Sequence, residues 1–183
     1  MKFLKWLLIV IATVFLAFVI IGWLNPVHTS RAEVMVDAEP QQAFAVMNNP
    51  ALMDRWLYMF KRIENLSGGP NQVGSRWKLV FSDESGGEME MVETVTVFES
   101  GKRFAFDYDN DWMTGTADTR FTGQDGKTRI TMEQEFRGKN LWKNALLTLS
   151  GSRIDEINQQ NLDNLKQLVE ASSVSDDQPL TDF

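Results

Sequence analysis

Acid–base or nucleophilic chemistry in this chain has very few residue types to run on. Cysteine is absent from its 183 residues, and His28 is the single histidine. A thiolate nucleophile, a disulfide framework and a cysteine-ligated metal are therefore excluded. A serine–histidine or cysteine–histidine arrangement would depend on His28, which lies just beyond an apolar run. Proton transfer is left to carboxylates, Tyr58, Tyr108 or an arginine, and such a group needs a suitable pKa inside a pocket. No two of these residues are spaced as a compelling pair. No metal is expected, because Asp109, Asp111 and Asp125 are scattered acids without the glycine spacing of a calcium loop. No cofactor is expected either: the turn from Ser85 to Gly87 lacks the lysine and helix that follow a phosphate loop.

Glu93 is the most informative carboxylate. It falls in phase with Met89, Met91, Val95 and Val97 in an alternating segment, so strict alternation points it at the apolar side. An unpaired ionised carboxylate is costly to bury, so the group must be paired, protonated or near water. A bulge at Val92 would instead turn it outward. Asp118, Glu133 and Glu135 fall on outer faces, and Arg76, Arg120 and Arg129 alternate with apolar residues toward solvent. Asn158 and Asn161 lie where a stripe through Ile154, Ile157 and Leu165 passes; each is either a helix-edge amide or a hydrogen-bonding group for a ligand. Around these polar groups stand Trp56, Trp77, Phe81, Met89, Met91, Phe104, Phe106 and Met132. Large, soft side chains of this kind either fill a core or line an adaptable apolar pocket.

The elements that carry these residues read in order as one domain. Alternation over Ala32, Val34 and Val36 predicts a first strand, and Pro40 opens a short helix with Ala43, Phe44 and Met47 on one side. Pro50 starts a second short helix reaching Trp56. Strands are predicted over 61–66, 74–82, 88–99, 103–109, 113–122 and 128–136, the last two joined across Gln124, Asp125 and Gly126. Asn140 is a plausible N-cap for a long helix to about Ala171. An alternating sheet has to bury its apolar face on something, and this helix is the longest candidate. Ser150, Gly151 and Ser152 interrupt its middle, which predicts a kink or a close approach of the sheet there.

The first 24 residues are different. No charge occurs between Trp6 and Leu24, and roughly 20 apolar residues cross a hydrocarbon core of about 30 Å. Trp6 and Trp23 sit near the ends, and the run closes on Trp-Leu-Asn-Pro, not on a small-residue cleavage site. Lys2 and Lys5 precede the run and Arg31 follows it. The expected organisation is a transmembrane anchor over 1–24, a linker over 25–30, a domain over 31–171 and a disordered acidic tail over 172–183. Positive-inside counting places the N-terminus in the cytoplasm and the domain outside a cell inner membrane, as a single-pass protein. The net charge is −7, which argues against nucleic acid as a broad electrostatic partner. Protein partners are not legible.

The stretch from Ala32 to Phe44, then Trp56, then Val73 to Trp77 resembles the START-like superfamily, also called SRPBCC, and within it the polyketide cyclase/dehydrase and lipid-transport type. The resemblance covers roughly Thr29 to Val169. It implies an α+β helix-grip fold, with a curved antiparallel sheet of about seven strands around the C-terminal helix and an apolar cavity between them. Its signal is a profile of apolar positions and turns, specific for fold and poor for activity. Three functional classes stay open. The first is a membrane-tethered domain binding a hydrophobic small molecule or lipid, contacting the bilayer through residues 3–24. The second is a cyclase or dehydratase using carboxylate or tyrosine groups. The third is a ligand-free cell-envelope interaction domain. Binding is the reading the residues favour, since the parts for proton transfer are sparse.

Overall fold

In the computed structural model, which describes residues 2–70, 72–83 and 86–176, helix α1 (Lys2–Leu24) leads into strand β1 (His28–Val36). Helix α2 (Pro40–Met47), a 3-10 turn (Pro50–Leu52) and helix α3 (Met53–Trp56) follow. Then come β2 (Phe60–Ser67), β3 (Arg76–Ser82), β4 (Glu88–Glu99), β5 (Arg103–Asp109), β6 (Met113–Gln124), β7 (Lys127–Gly138) and helix α4 (Leu141–Asp176). The strands form a single antiparallel sheet in the order β1-β7-β6-β5-β4-β3-β2. Consecutive strands pair by hairpins, and the first strand closes onto the last. The short helices therefore carry the chain from one sheet edge to the other. This is the helix-grip architecture.

Local chemistry explains the punctuation. Asp125 and Gly126 both take positive φ, 52° and 75°, the backbone of a two-residue hairpin that follows the sheet's twist. Pro40 occupies the first turn of α2, where its missing N–H costs no helix bond. Asn140 caps α4 by accepting from the Lys143 N–H at 2.9 Å. The helix runs on to Asp176, past the predicted end near Ala171, and the Ser172 hydroxyl donates back to the Leu168 carbonyl at 2.8 Å. Of the expected tail, residues 177–183 lie outside the described residues. The predicted interruption at Gly151 differs too: α4 is one continuous helical element, and a Cβ at Gly151 would meet open space. No close approach of the sheet requires glycine there.

The main core forms where α4 crosses the β1–β7 side of the sheet. Leu162, Leu165 and Val169 are fully buried against Val36, Ile130, Phe44, Met47 and Trp56. Each such side chain contributes about 1.5–3 kcal/mol by leaving water. A register shift between Val95 and Val97 inserts one residue into β4. Strict alternation would put Val97 inward; after the bulge Phe98 takes that place and meets Phe44 edge-on at 5.1 Å. The other half of the inner face, β2 to β5, receives far less cover from α4.

Candidate ligand-binding site

That uncovered half collects most of the large side chains marked out by type. In antiparallel pairing, directly opposed residues share a face. Trp77 opposes Glu93, Leu79 opposes Met91, and Phe81 opposes Met89 across β3 and β4. Across β4 and β5, Glu93 opposes Tyr108 and Val95 opposes Phe106. Trp77, Phe81, Met89, Met91, Glu93, Phe104, Phe106 and Tyr108 thus lie on one continuous concave surface. An aromatic row runs along β5, with Phe104 5.4 Å from Phe106 and Phe106 6.2 Å from Tyr108. At the β2 end, Phe60 meets Phe81 edge-on at 6.0 Å.

Burial changes along this surface. Trp77, Phe81, Met89, Met91, Phe104 and Phe106 are each only half-buried. Toward α4 the surface closes: Tyr108, Ala117, Phe136 and Leu147 form a small second core, with Met91, Phe106, Met113 and Ile154 against it. The result is a half-open apolar surface with a packed inner end. Gly115 makes that end possible, because a Cβ there would collide with the Tyr108 ring, Phe136 and the Glu135 carbonyl.

Glu93 stands at the same end. The β3–β4 and β4–β5 registers run unbroken through Val92, so the bulge that would have turned the carboxylate outward does not form. Glu93 is 8% exposed, and it makes no hydrogen bond or ion pair among the described residues. Burial alone pushes its carboxyl up to about 8. The group is therefore mostly protonated at neutral pH and carries a free O–H donor. Burial also raises the Tyr108 phenol well above its usual range, and negative charge on Glu93 would raise it further. The contrast with the convex face is sharp. There Arg103 and Arg120 both hold Asp118, Arg31 holds Glu133, and Arg62 holds Glu88, at 2.9–3.1 Å.

Other marked residues are taken up by the fold itself. Trp56 and Met132 lie in the main core, though the Trp56 indole N–H is left without a partner. Asn158 and Asn161 are buried, not at a helix edge. Asn158 donates to the Ser30 hydroxyl at 2.9 Å and accepts from Gln134 at 3.3 Å. Asn161 accepts from the Tyr58 N–H at 2.8 Å, holding the chain after α3. Periodicity alone could not tell these internal bonds from ligand contacts. His28 approaches Asn144 at 3.2 Å and stacks on Phe136, and no carboxylate bonds to it among the described residues. No three His, Asp or Glu side chains converge among the described residues as a metal site would require. A surface depression on the convex side is lined by Arg31, Asp118 and Glu133, with Arg31 and Glu133 paired across it at 3.0 Å.

Two features were only partly legible in the sequence. Thr119, opposite Phe104 and Met132, is fully buried with its hydroxyl unpartnered. Leu147 and Ile154 of α4 form the far wall beside Tyr108. A polar residue at an inward phase was the only signal for Thr119; the helix residues had only their apolar character.

Solved structures of the same fold place this geometry in context. The protein TTHA0849 from Thermus thermophilus superposes with a TM-score of 0.67 at 17% identity, covering 80% of this chain and 99% of that one. The aromatase/cyclase Zhui from a Streptomyces species gives 0.59 at 12%, covering 78% and 96%. The di-domain aromatase/cyclase StfQ of the steffimycin biosynthetic pathway gives 0.66 at 10%, covering 81% of this chain and 52% of that one. At such identities the likeness is one of fold. No curated protein matches by sequence. A family model does, over residues 27–170: the chain belongs to the polyketide cyclase/dehydrase and lipid transport family.

Proposed function

We propose that this chain binds a hydrophobic small molecule or lipid in the cleft between β3–β5 and α4, close to a membrane that α1 anchors it to. The observation that carries this reading is Glu93: a buried carboxyl without a hydrogen-bond partner among the described residues, at the closed end of a half-open apolar surface. An apolar ligand with one polar end suits it, the apolar body covering Trp77, Phe81, Met89, Met91, Phe104 and Phe106 while its oxygen accepts from the Glu93 O–H. A small number of polar groups in an otherwise apolar cleft is how such sites orient ligands.

The anchor reading draws on α1 and its junction. Residues Phe3–Leu24 form a helix of mean hydropathy 2.9, long and apolar enough to cross a membrane and almost entirely unburied by the domain. Its end is tied into the fold. The Asn144 amide donates to the Gly22 carbonyl at 2.9 Å and to the Asn25 carbonyl, while its oxygen accepts from the Gly138 N–H at 2.9 Å. Loss of α1 by cleavage would remove the Gly22 acceptor and uncover this packed junction, which supports retention over a signal-peptide role. Lys2 and Lys5 before the span, against Arg31 after it, support an N-terminus in the cytoplasm and a domain outside the inner membrane.

The full chain purified in mild detergent, analysed by native mass spectrometry and solvent extraction, should release a co-purifying apolar molecule and take up added fatty acid. Absence of both release and uptake would sink the binding reading and leave the ligand-free interaction domain. A reporter active only in the periplasm, fused at the C-terminus, should be active; activity from a cytoplasmic reporter alone would reverse the orientation. A second reading, cyclase or dehydratase chemistry, draws on the same carboxyl, since a group with a pKa of about 8 exchanges protons near neutral pH. Its mark would be ligand retained but not converted by Glu93→Gln.

A further inference from the structure

The first turns of α4 carry two apolar faces. Leu147 and Ile154 turn toward Tyr108 and the closed end of the cleft. On another side Leu141, Trp142 and Leu149 are exposed by 48%, 53% and 63%, and helical spacing places them on one stripe with Ala145. Ala145 is fully buried, because it meets Gly22 of α1, where a Cβ would collide with the Leu141 carbonyl. Trp142 packs on Phe18 with ring centroids 4.4 Å apart. The stripe is therefore continuous with the surface of α1. Val27, just after α1, and Trp112, whose ring lies 5.4 Å from the Lys143 ammonium, are exposed nearby.

We propose that the N-terminal half of α4 is an interfacial membrane element: Leu141, Trp142 and Leu149 insert into the outer boundary of the bilayer that α1 spans. The inference rests on the anchor reading above. Depth follows from the contacts. Phe18 lies six residues before Leu24, where the span ends, which is about 9 Å at 1.5 Å per residue. A side chain packed on Phe18 sits at that depth when α1 crosses the membrane. Interfacial helices bury their apolar face about 5–10 Å into the boundary between headgroups and acyl chains, so the two depths agree. The apolar stripe ends by Ser152 and Arg153, where the helix returns to polar surroundings. The consequence is a shared wall: one stretch of helix faces lipid on one side and the cleft on the other, bringing the binding surface to the membrane.

The native chain lacks cysteine, so spin labels can be placed singly in the full chain reconstituted in phosphatidylcholine nanodiscs. Labels at Leu141→Cys and Leu149→Cys should be accessible to oxygen and shielded from a water-soluble nickel chelate, as should Val14→Cys within α1. A label at Gln160→Cys, on the exposed side of the second half of α4, should be open to the chelate. Chelate access at 141 and 149 with Val14 shielded would overturn the interfacial element and leave the anchor standing. Chelate access at Val14 as well would remove the anchor and this inference together. All four sites are exposed, so the substitutions leave the packed core untouched, and circular dichroism checks the fold of each variant.

Discussion

Glu93 and Tyr108 oppose each other across β4 and β5, side by side on the concave face and both more than nine-tenths buried. Neither β-strand carries a cation on that face to balance a charge, so ionisation of either group opposes burial. The pair therefore makes the site a neutral donor surface near pH 7.

Glu93 ties stability to pH with a definite sign. Its folded pKa of about 8 lies above the ordinary 4.5, so between those values the native state holds a proton that the unfolded chain has lost. Stability then falls as pH rises through that window, by up to about 1.4 kcal/mol per unit from this group. Glu93→Gln should remove that part of the slope. In urea titrations it should be close to wild type at pH 5 and clearly more stable at pH 8; equal stability at both would mean the carboxyl is solvated. Ligand retention by wild type should also weaken above pH 8, where the donor is lost.

Two glycines should respond in opposite directions to the same change. Gly115→Ala forces a methyl into the Tyr108 ring and the Glu135 carbonyl, an overpacking that costs about 1–3 kcal/mol. Gly151→Ala meets open space within a helix and should stabilise by about 0.5–1 kcal/mol. Thermal denaturation reads both. A destabilised Gly151→Ala would indicate that the helix does bend at that residue.

Cleft and core can be separated by truncation. Leu165 is fully buried and Trp77 is half-buried. Leu165→Ala should cost about 2–5 kcal/mol of stability through lost contact and a cavity. Trp77→Ala should cost much less stability but reduce retention of apolar ligand in extraction assays. A Trp77→Ala variant that is badly destabilised yet keeps its ligand would move this residue from the cleft wall to the core.

Asn158 tests whether the buried amides serve the fold. Its removal in Asn158→Ala leaves the Ser30 hydroxyl and the Gln134 amide without their partner, for a loss of about 1–3 kcal/mol. Ligand affinity per folded molecule should stay unchanged. A selective loss of binding with stability intact would instead make Asn158 a ligand contact.

Local pattern carried the architecture a long way. Alternation in Trp77, Leu79 and Phe81, the Asp125–Gly126 turn and the Asn140 cap each encode their own geometry, because backbone preferences act over a few residues. Those signals, with the resemblance from Ala32 to Trp77, determined the order of strands and helices. They also put Glu93 in the inward phase, with a bulge at Val92 as the alternative that only the pairing register removed. Long-range packing decided the rest. Whether Glu93 had a partner depended on Trp77 and Tyr108, each 15 or 16 residues away and brought beside it by pairing. The bulge that exchanges Val97 for Phe98 came from fitting β4 onto β5 and α2. Asn158 and Asn161 were claimed by Ser30 and Tyr58, more than a hundred residues distant in the chain. Periodicity states which way a side chain points; only the tertiary structure supplies what it meets there.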